Sequence, residues 1–305
     1  MLEKYKKIEN IIDESDRILY NEPMKNHTTT KVGGEADVVV LPKTLEEIKS
    51  LLSFAKENKI PYYIIGCGSN LIVTDDKVHA LIIKITNKFG RVSVKGNMIT
   101  ADAGASMPFV SITAKRNSLS GFEFACGIPG TIGGGVRMNA GAYGSEIKDI
   151  FLQATYIDGD GNIKTINKDE MEFGYRHTFF SNHPDCVIVS AKFVLKQGEM
   201  SEIEAKMNEN ALARRTKQPL EYPNFGSVFK RPEGYFVGKL VDDAGLRGYQ
   251  IGGAQVSTKH TGFIVNTGNA TCKDIVDLIH HIQNVVFEKF GVKLESEVVY
   301  IGGKI

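Results

Sequence analysis

Apolar and polar residues alternate along this chain with two different periods, and each change of period marks an element. Ala36 to Pro42 is a β-branched run, and the Thr44-Leu45-Glu46-Glu47 segment after it has the spacing of a helix-opening capping box. Leu45, Ile48, Leu51, Leu52 and Ala55 then share one helical face, and Ile60 to Ile65 reads as a strand, which predicts a βαβ unit. Ala80 to Ile85 predicts another strand, followed by hairpins and glycine-rich turns through about Ser120. Asp158-Gly159-Asp160-Gly161 separates two alternating runs and predicts a hairpin; Val187 to Leu195 predicts a strand. From Gly198 to Lys217 the pattern Met200, Ile203, Met207, Ala211 is helical, and Pro219 to Pro223 is the clearest inter-domain boundary. A last helix opens at Thr271-Cys272-Lys273-Asp274, carries Ile275, Leu278, Ile279, Ile282, Val285 and Val286 on one face, and stops at Gly291 before a strand over Lys293 to Ile301.

The 305 residues exceed the usual size of one core, so two or three domains are expected. A net charge of +1 gives no general attraction to polyanions, which argues against nucleic acid as a partner. Cys67, Cys126, Cys186 and Cys272 lie far apart, without metal-ligand or redox-pair spacing, so no metal site is expected and a reducing cytoplasm fits best. No apolar run is long enough to span a bilayer, and the first residues mix charges rather than forming a signal peptide.

Two glycine segments carry the first hint of chemistry. Gly66-Cys67-Gly68-Ser69-Asn70 directly follows a predicted strand, where a turn of small residues can offer its N–H groups to a phosphate or simply turn the chain. Gly127-Ile128-Pro129-Gly130-Thr131-Ile132-Gly133-Gly134-Gly135, followed by Asn139-Ala140-Gly141-Ala142-Tyr143-Gly144, is denser, and so much glycine costs conformational entropy unless a ligand or a close backbone compensates. Neither segment has the Gly-x-Gly-x-x-Gly spacing of nicotinamide-binding units or the Lys of a P-loop. Together they suggest an extended diphosphate ligand.

These segments resemble the FAD-binding domain of the p-cresol methylhydroxylase and vanillyl-alcohol oxidase superfamily. Adding Tyr175-Arg176, Gly226-Ser227-Val228-Phe229-Lys230 and Leu294-Glu295-Ser296-Glu297-Val298 narrows the likeness, over roughly Asn26 to Gly303, to the UDP-N-acetylenolpyruvoylglucosamine reductase family, in its short type without a substrate-covering tyrosine loop. The resemblance implies an α+β fold: two α/β subdomains binding FAD between them and a C-terminal α+β substrate-binding domain. The corresponding segments are 1–25 (N-terminal and helical), 26–85 and 86–198 (the FAD-binding subdomains) and 199–305 (substrate). It further implies non-covalent FAD lined by Gly66, Cys67, Gly68, Ser69, Asn70, Gly127, Ile128, Pro129, Gly130, Thr131, Gly133, Gly134, Asn139, Ala140, Gly141 and Ala142. NADPH would be the reductant and a UDP-sugar enolpyruvate the substrate.

By the same resemblance Arg176 is the cation that grips the substrate carboxylate, Ser227 the proton donor, and Glu297 the third catalytic position. A guanidinium fork suits a carboxylate on which charge accumulates. A serine hydroxyl is a weak acid and works only when held against a carbanion; a carboxyl beside a carboxylate helps only when protonated or strongly hydrogen-bonded. Lys217, with Arg214 and Arg215 before it, and His260 are candidate substrate contacts, although a basic helix end also suits the helix dipole without any ligand. If Ser227 to Arg231 is extended, Ser227, Phe229 and Arg231 share a face and Arg231 joins the substrate contacts. Phe225 stands where the family usually has a small residue, and Val299 where an Arg is frequent. An FAD oxidase of the same superfamily would not need the Arg176, Ser227 and Glu297 set, and a passive flavin or nucleotide-sugar binder would have no use for it.

Overall fold

The computed structural model describes residues 2–303, in which helices and strands mix as an α+β fold divided between two compact units. One comprises Met1–Tyr20, Val38–Cys67 and Ala80–Arg214, the other Asn21–Asp37, Gly68–His79 and Arg215–Ile305. The units are discontinuous, unlike the contiguous segments expected. A parallel pairing of Val299–Ile301 with Leu71–Val73 is the reason on the C-terminal side: it ties the stretch after Gly68 to the end of the chain. The first 25 residues are also not wholly helical, since the 3-10 helix Leu2–Asn10 is followed by a strand over Ile18–Pro23.

In the first unit the expected βαβ is present. Tyr62–Ile65 pairs in parallel with Val78–Lys84, from Tyr62 opposite Leu81 to Ile65 opposite Lys84, and the helix Leu45–Glu57 buries Ile48, Leu51 and Ala55 completely. Thr44 caps that helix by accepting from the Glu47 N–H at 3.1 Å. The return half of the predicted box is absent because the Glu47 carboxylate is taken elsewhere. It receives Arg17 through two bonds of 2.7 and 2.8 Å and the Lys43 N–H at 2.6 Å, and the Arg17 side chain is wholly buried.

A five-stranded antiparallel sheet follows, ordered Ile163–Asn167, Phe151–Ile157, Val187–Val194, Met98–Asp102, Val92–Lys95. The Asp158 hairpin lies where expected, with Ile157 opposite Ile163 and the Asp158 carboxylate accepting from the Asp160 and Asn162 N–H groups. Between Met98–Asp102 and Ser120, where only hairpins and turns are expected, the chain forms a helix, Met107–Arg116. Ser106 caps it, Pro108 sits in its first turn, and Met107, Val110, Ser111 and Ala114 are buried along one face.

The second unit has a four-stranded antiparallel sheet ordered Asn224–Ser227, Phe263–Asn266, Ala254–Val256, Gln250–Ile251. The helix Cys272–Phe290 buries Ile275, Leu278, Ile279, Ile282 and Val286 in the same apolar core as Phe225, Val228 and Ala254. Its capping box is complete: Thr271 Oγ1 accepts from Asp274 N, and Asp274 Oδ2 from Thr271 N. Gly291, at φ +69°, ends it in the left-handed conformation. Asp75 accepts from the Cys272 and Lys273 N–H groups at 2.8 and 3.0 Å, placing a negative charge at the positive end of the helix.

Candidate active site

Gly66 ends the strand Tyr62–Ile65 and meets the second glycine segment directly. A Cβ on Gly66 would lie 2.4 Å from Thr131 Oγ1, so the Thr131 side chain packs directly against the Gly66 backbone. Thr131 is buried and caps the short helix Ile132–Arg137. Two glycines of that helix have a packing reason, because a Cβ on Gly133 would come within 3.0 Å of Ala103 Cβ and one on Gly135 within 2.7 Å of Met107 Sδ. Gly134 has none: it is exposed, and the nearest atom to an added Cβ is Thr131 Oγ1 at 3.6 Å. Gly127 lies under Arg214, whose Cδ would be 2.9 Å from a Cβ there, and burial lowers the Arg214 pKa.

Further along the same unit, Arg176 sits in a tight turn closed by Gly174 and His177, whose backbones exchange bonds of 3.0 and 3.3 Å. Its φ is +54°, a left-handed conformation unfavourable for a residue with a Cβ. Strain of this kind persists where surrounding contacts over-determine the backbone, and it concentrates at functional positions. Tyr175, beside it, is exposed and its ring lies 5.2 Å from the Arg176 guanidinium carbon.

In the second unit Ser227 and Glu297 are neighbours. The Glu297 N–H donates to Val228 O at 2.9 Å, the Lys230 N–H to Glu295 O at 2.9 Å, and Phe229 bridges Ser296, so the Ser227 and Glu297 segments run side by side. Asn70 reinforces the pair, its Nδ2 donating to Glu297 O at 2.9 Å while its own carbonyl accepts from Val299 N. Gly68, at φ +69°, would place a Cβ 2.0 Å from His27 O, so its turn admits no other residue. Gly226 is required for its backbone alone, having φ +84° and no atom within 4 Å of an added Cβ.

The conditional expectation that Ser227, Phe229 and Arg231 share a face is not met. The strand is irregular between Asn224 and Ser227 and ends there, and Val228 and Phe229 are both buried while Ser227 is exposed. Arg231 is exposed and stacks at 3.9 Å on the ring of Phe236, an exposed aromatic the sequence reading passed over. The departure at Phe225 is harmless to the Ser227 face, since that side chain belongs to the core. Lys217 is exposed at the end of the helix Met200–Lys217. A residue not singled out from the sequence, Lys259, satisfies this helix end by donating to Arg215 O at 2.9 Å. His260 accepts the Gly262 N–H on Nδ1 at 3.1 Å, which leaves Nε2 as the donor of the neutral ring, and burial lowers its pKa.

Comparison with known proteins places these features in a family. Residues 36–167 match the family described as FAD binding domain, and residues 218–301 match UDP-N-acetylenolpyruvoylglucosamine reductase, C-terminal domain. The UDP-N-acetylenolpyruvoylglucosamine reductase of Alkaliphilus oremlandii is 46% identical over 301 residues, covering 99% of this chain and 98% of that one. The chain belongs to the UDP-N-acetylenolpyruvoylglucosamine reductase family. The protein of the same name from Enterococcus faecalis is 48% identical over 94% of this chain and 95% of its own. The crystal structure of the Thermus caldophilus reductase superposes with a TM-score of 0.80 at 33% identity, covering 93% of this chain and 98% of that chain.

Membership makes this reductase an oxidoreductase with an FAD-binding domain, and the residues present suit that cofactor. Both glycine segments fall within the FAD-binding match, they meet at Gly66 and Thr131, and Gly134 keeps a face that a side chain would fill. Ser227 and Glu297 fall within the C-terminal match, whereas Arg176 and Lys217 lie in the stretch that neither match covers. Among the described residues no helix is long and apolar enough to cross a membrane.

Proposed function

We propose that this reductase converts UDP-N-acetylglucosamine enolpyruvate to UDP-N-acetylmuramate, with NADPH as reductant and non-covalently held FAD. Segments 26–85 and 86–198 hold the cofactor and 199–305 the substrate, in the cytoplasm where this precursor chemistry takes place. FAD held by segments 66–70 and 127–142 would supply the hydride chemistry that links NADPH to the terminal vinyl carbon of the enol ether. The electron pair of the double bond then resides on the neighbouring carbon and its carboxylate, and a proton must reach that carbon to leave the lactyl ether. Arg176 holds the carboxylate in its fork as the charge grows. Ser227 donates the proton, and Glu297, on the segment paired with that of Ser227, is the third catalytic residue. Lys217 and His260 bind the UDP-sugar remote from the reacting carbon.

The observation that carries this reading is the backbone pairing of the Ser227 and Glu297 segments, Glu297 N to Val228 O at 2.9 Å, which brings together two chemically matched residues 70 positions apart. Ser227→Ala is the test, because its duty belongs to one half-reaction. Stopped-flow absorbance should show flavin reduction by NADPH nearly intact and reoxidation by the enolpyruvyl substrate slowed by roughly 10²-fold to 10⁴-fold. Ser227→Cys should recover part of that rate. Equal impairment of both half-reactions, or of neither, would make Ser227 a structural residue.

A further inference from the structure

The strained turn at Arg176 needs something outside itself to hold it, and the structure contains the holder. Asn139 is wholly buried and itself left-handed, at φ +43°. Its Nδ2 donates to Gly174 O at 3.0 Å, and its Oδ1 accepts from Lys148 N at 3.0 Å. A backbone N–H only donates and a carbonyl only accepts, so these partners fix which end of the amide is which. Each end of the side-chain amide thereby has a protein partner.

Asn139 lies just beyond the helix Ile132–Arg137 that Thr131 opens, and its N–H closes the end of that helix onto Val136 O at 3.2 Å. A second tie joins the same two segments: Thr178 Oγ1 donates to Arg137 O at 2.9 Å, and Thr178 is wholly buried. We propose that Asn139 is a positioning residue for Arg176, transmitting the placement of the glycine-rich helix to the turn that aims the guanidinium. The role rests on the reading of Arg176 given above. Its contribution is geometric: Gly174 O is fixed two residues before Arg176, inside a turn of which Tyr175 is 52% exposed and so contributes little packing.

Asn139→Asp tests this, because the carboxylate keeps an acceptor for Lys148 N while losing the donor to Gly174 O. Two readouts are taken on the FAD-loaded enzyme. Limited trypsin digestion, followed by mass spectrometry, measures cleavage after Arg176; it should rise about tenfold relative to other sites, the scale of one lost buried hydrogen bond of about 1.4 kcal/mol. Stopped-flow measurement should show reoxidation by the enolpyruvyl substrate slowed by roughly 10-fold to 100-fold, at least ten times the change in flavin reduction. In an Arg176→Ala background the same substitution should add less than about twofold, since it acts through Arg176. Unaltered cleavage, or equal slowing in both backgrounds, overturns the proposal. Normal reoxidation in Arg176→Ala alone overturns the reading of Arg176 instead, and the digestion still decides whether Asn139 holds the turn. Should Asn139→Asp not accumulate as holoenzyme, Asn139→Ser, too short to reach Gly174, carries the same comparison.

Discussion

At the scale of single residues, the glycines separate into those whose packing or backbone the fold requires and those, such as Gly134, that it does not. Gly68→Ala should cost about 2 kcal/mol or more, because the left-handed backbone and the 2.0 Å approach of His27 O leave no room for a methyl group. Gly134→Ala should do the reverse, leaving the apoprotein as stable or up to about 1 kcal/mol more stable through helix propensity, while FAD affinity falls at least about tenfold. Chemical unfolding and flavin fluorescence titration measure the two effects; undiminished FAD affinity in Gly134→Ala would show that this face does not meet the cofactor. His260 supplies a pH dependence. Burial, with Arg247 nearby, lowers its pKa from the ordinary 6.5, so the folded chain prefers the neutral ring that accepts the Gly262 N–H. Its contribution to stability is full above 6.5 and is lost as pH falls through the lower folded-state value. An imidazole NMR titration midpoint above 6.5 would contradict this. Candidate residues were legible in the sequence because their types match the chemistry and sit in motifs. The tie from Asn139 to Gly174 was not, since nothing in a 35-residue separation marks it.

At the scale of elements, periodicity and caps foretold most of the helices and strands, and the exceptions have physical causes. The helix Met107–Arg116 carries Ser111 and the β-branched Val110, Ile112 and Thr113, residues of modest helix propensity, so its Ser106 cap and buried face were outweighed. The terminal run from Lys293 is a regular strand only over Val299–Ile301, because its parallel partner, Leu71–Val73, is three residues long, and the stretch before it pairs with Phe229 through a single bridge at Ser296. Thr44 and Glu47 announced a helix correctly, but the sequence could not show that Arg17 takes the carboxylate. That buried pair anchors the helix Leu45–Glu57, and Glu47→Ala should destabilise the protein by about 3–5 kcal/mol by leaving a wholly buried guanidinium without its partner. Denaturant unfolding measures the loss. A change under about 1 kcal/mol would mean that the Glu14 carboxylate, 2.9 Å from Arg17 Nε, suffices alone.

At the scale of the molecule, the α+β class was legible but the discontinuous units were not, because a parallel pairing between residues near 71 and 300 leaves no trace in local periodicity. The same scale hides the proximity of Ser227 and Glu297, which only long-range pairing creates. The family match covers nearly the whole chain, which makes it an oxidoreductase of the UDP-N-acetylenolpyruvoylglucosamine reductase family with an FAD-binding domain. The most direct measurement is an anaerobic visible-spectrum titration of the purified FAD-bound protein. NADPH should bleach the flavin band, and UDP-N-acetylglucosamine enolpyruvate added next should restore it with one UDP-N-acetylmuramate formed per flavin reoxidised; a band that NADPH does not bleach, or that stays bleached when the enolpyruvyl substrate is added, would contradict the account.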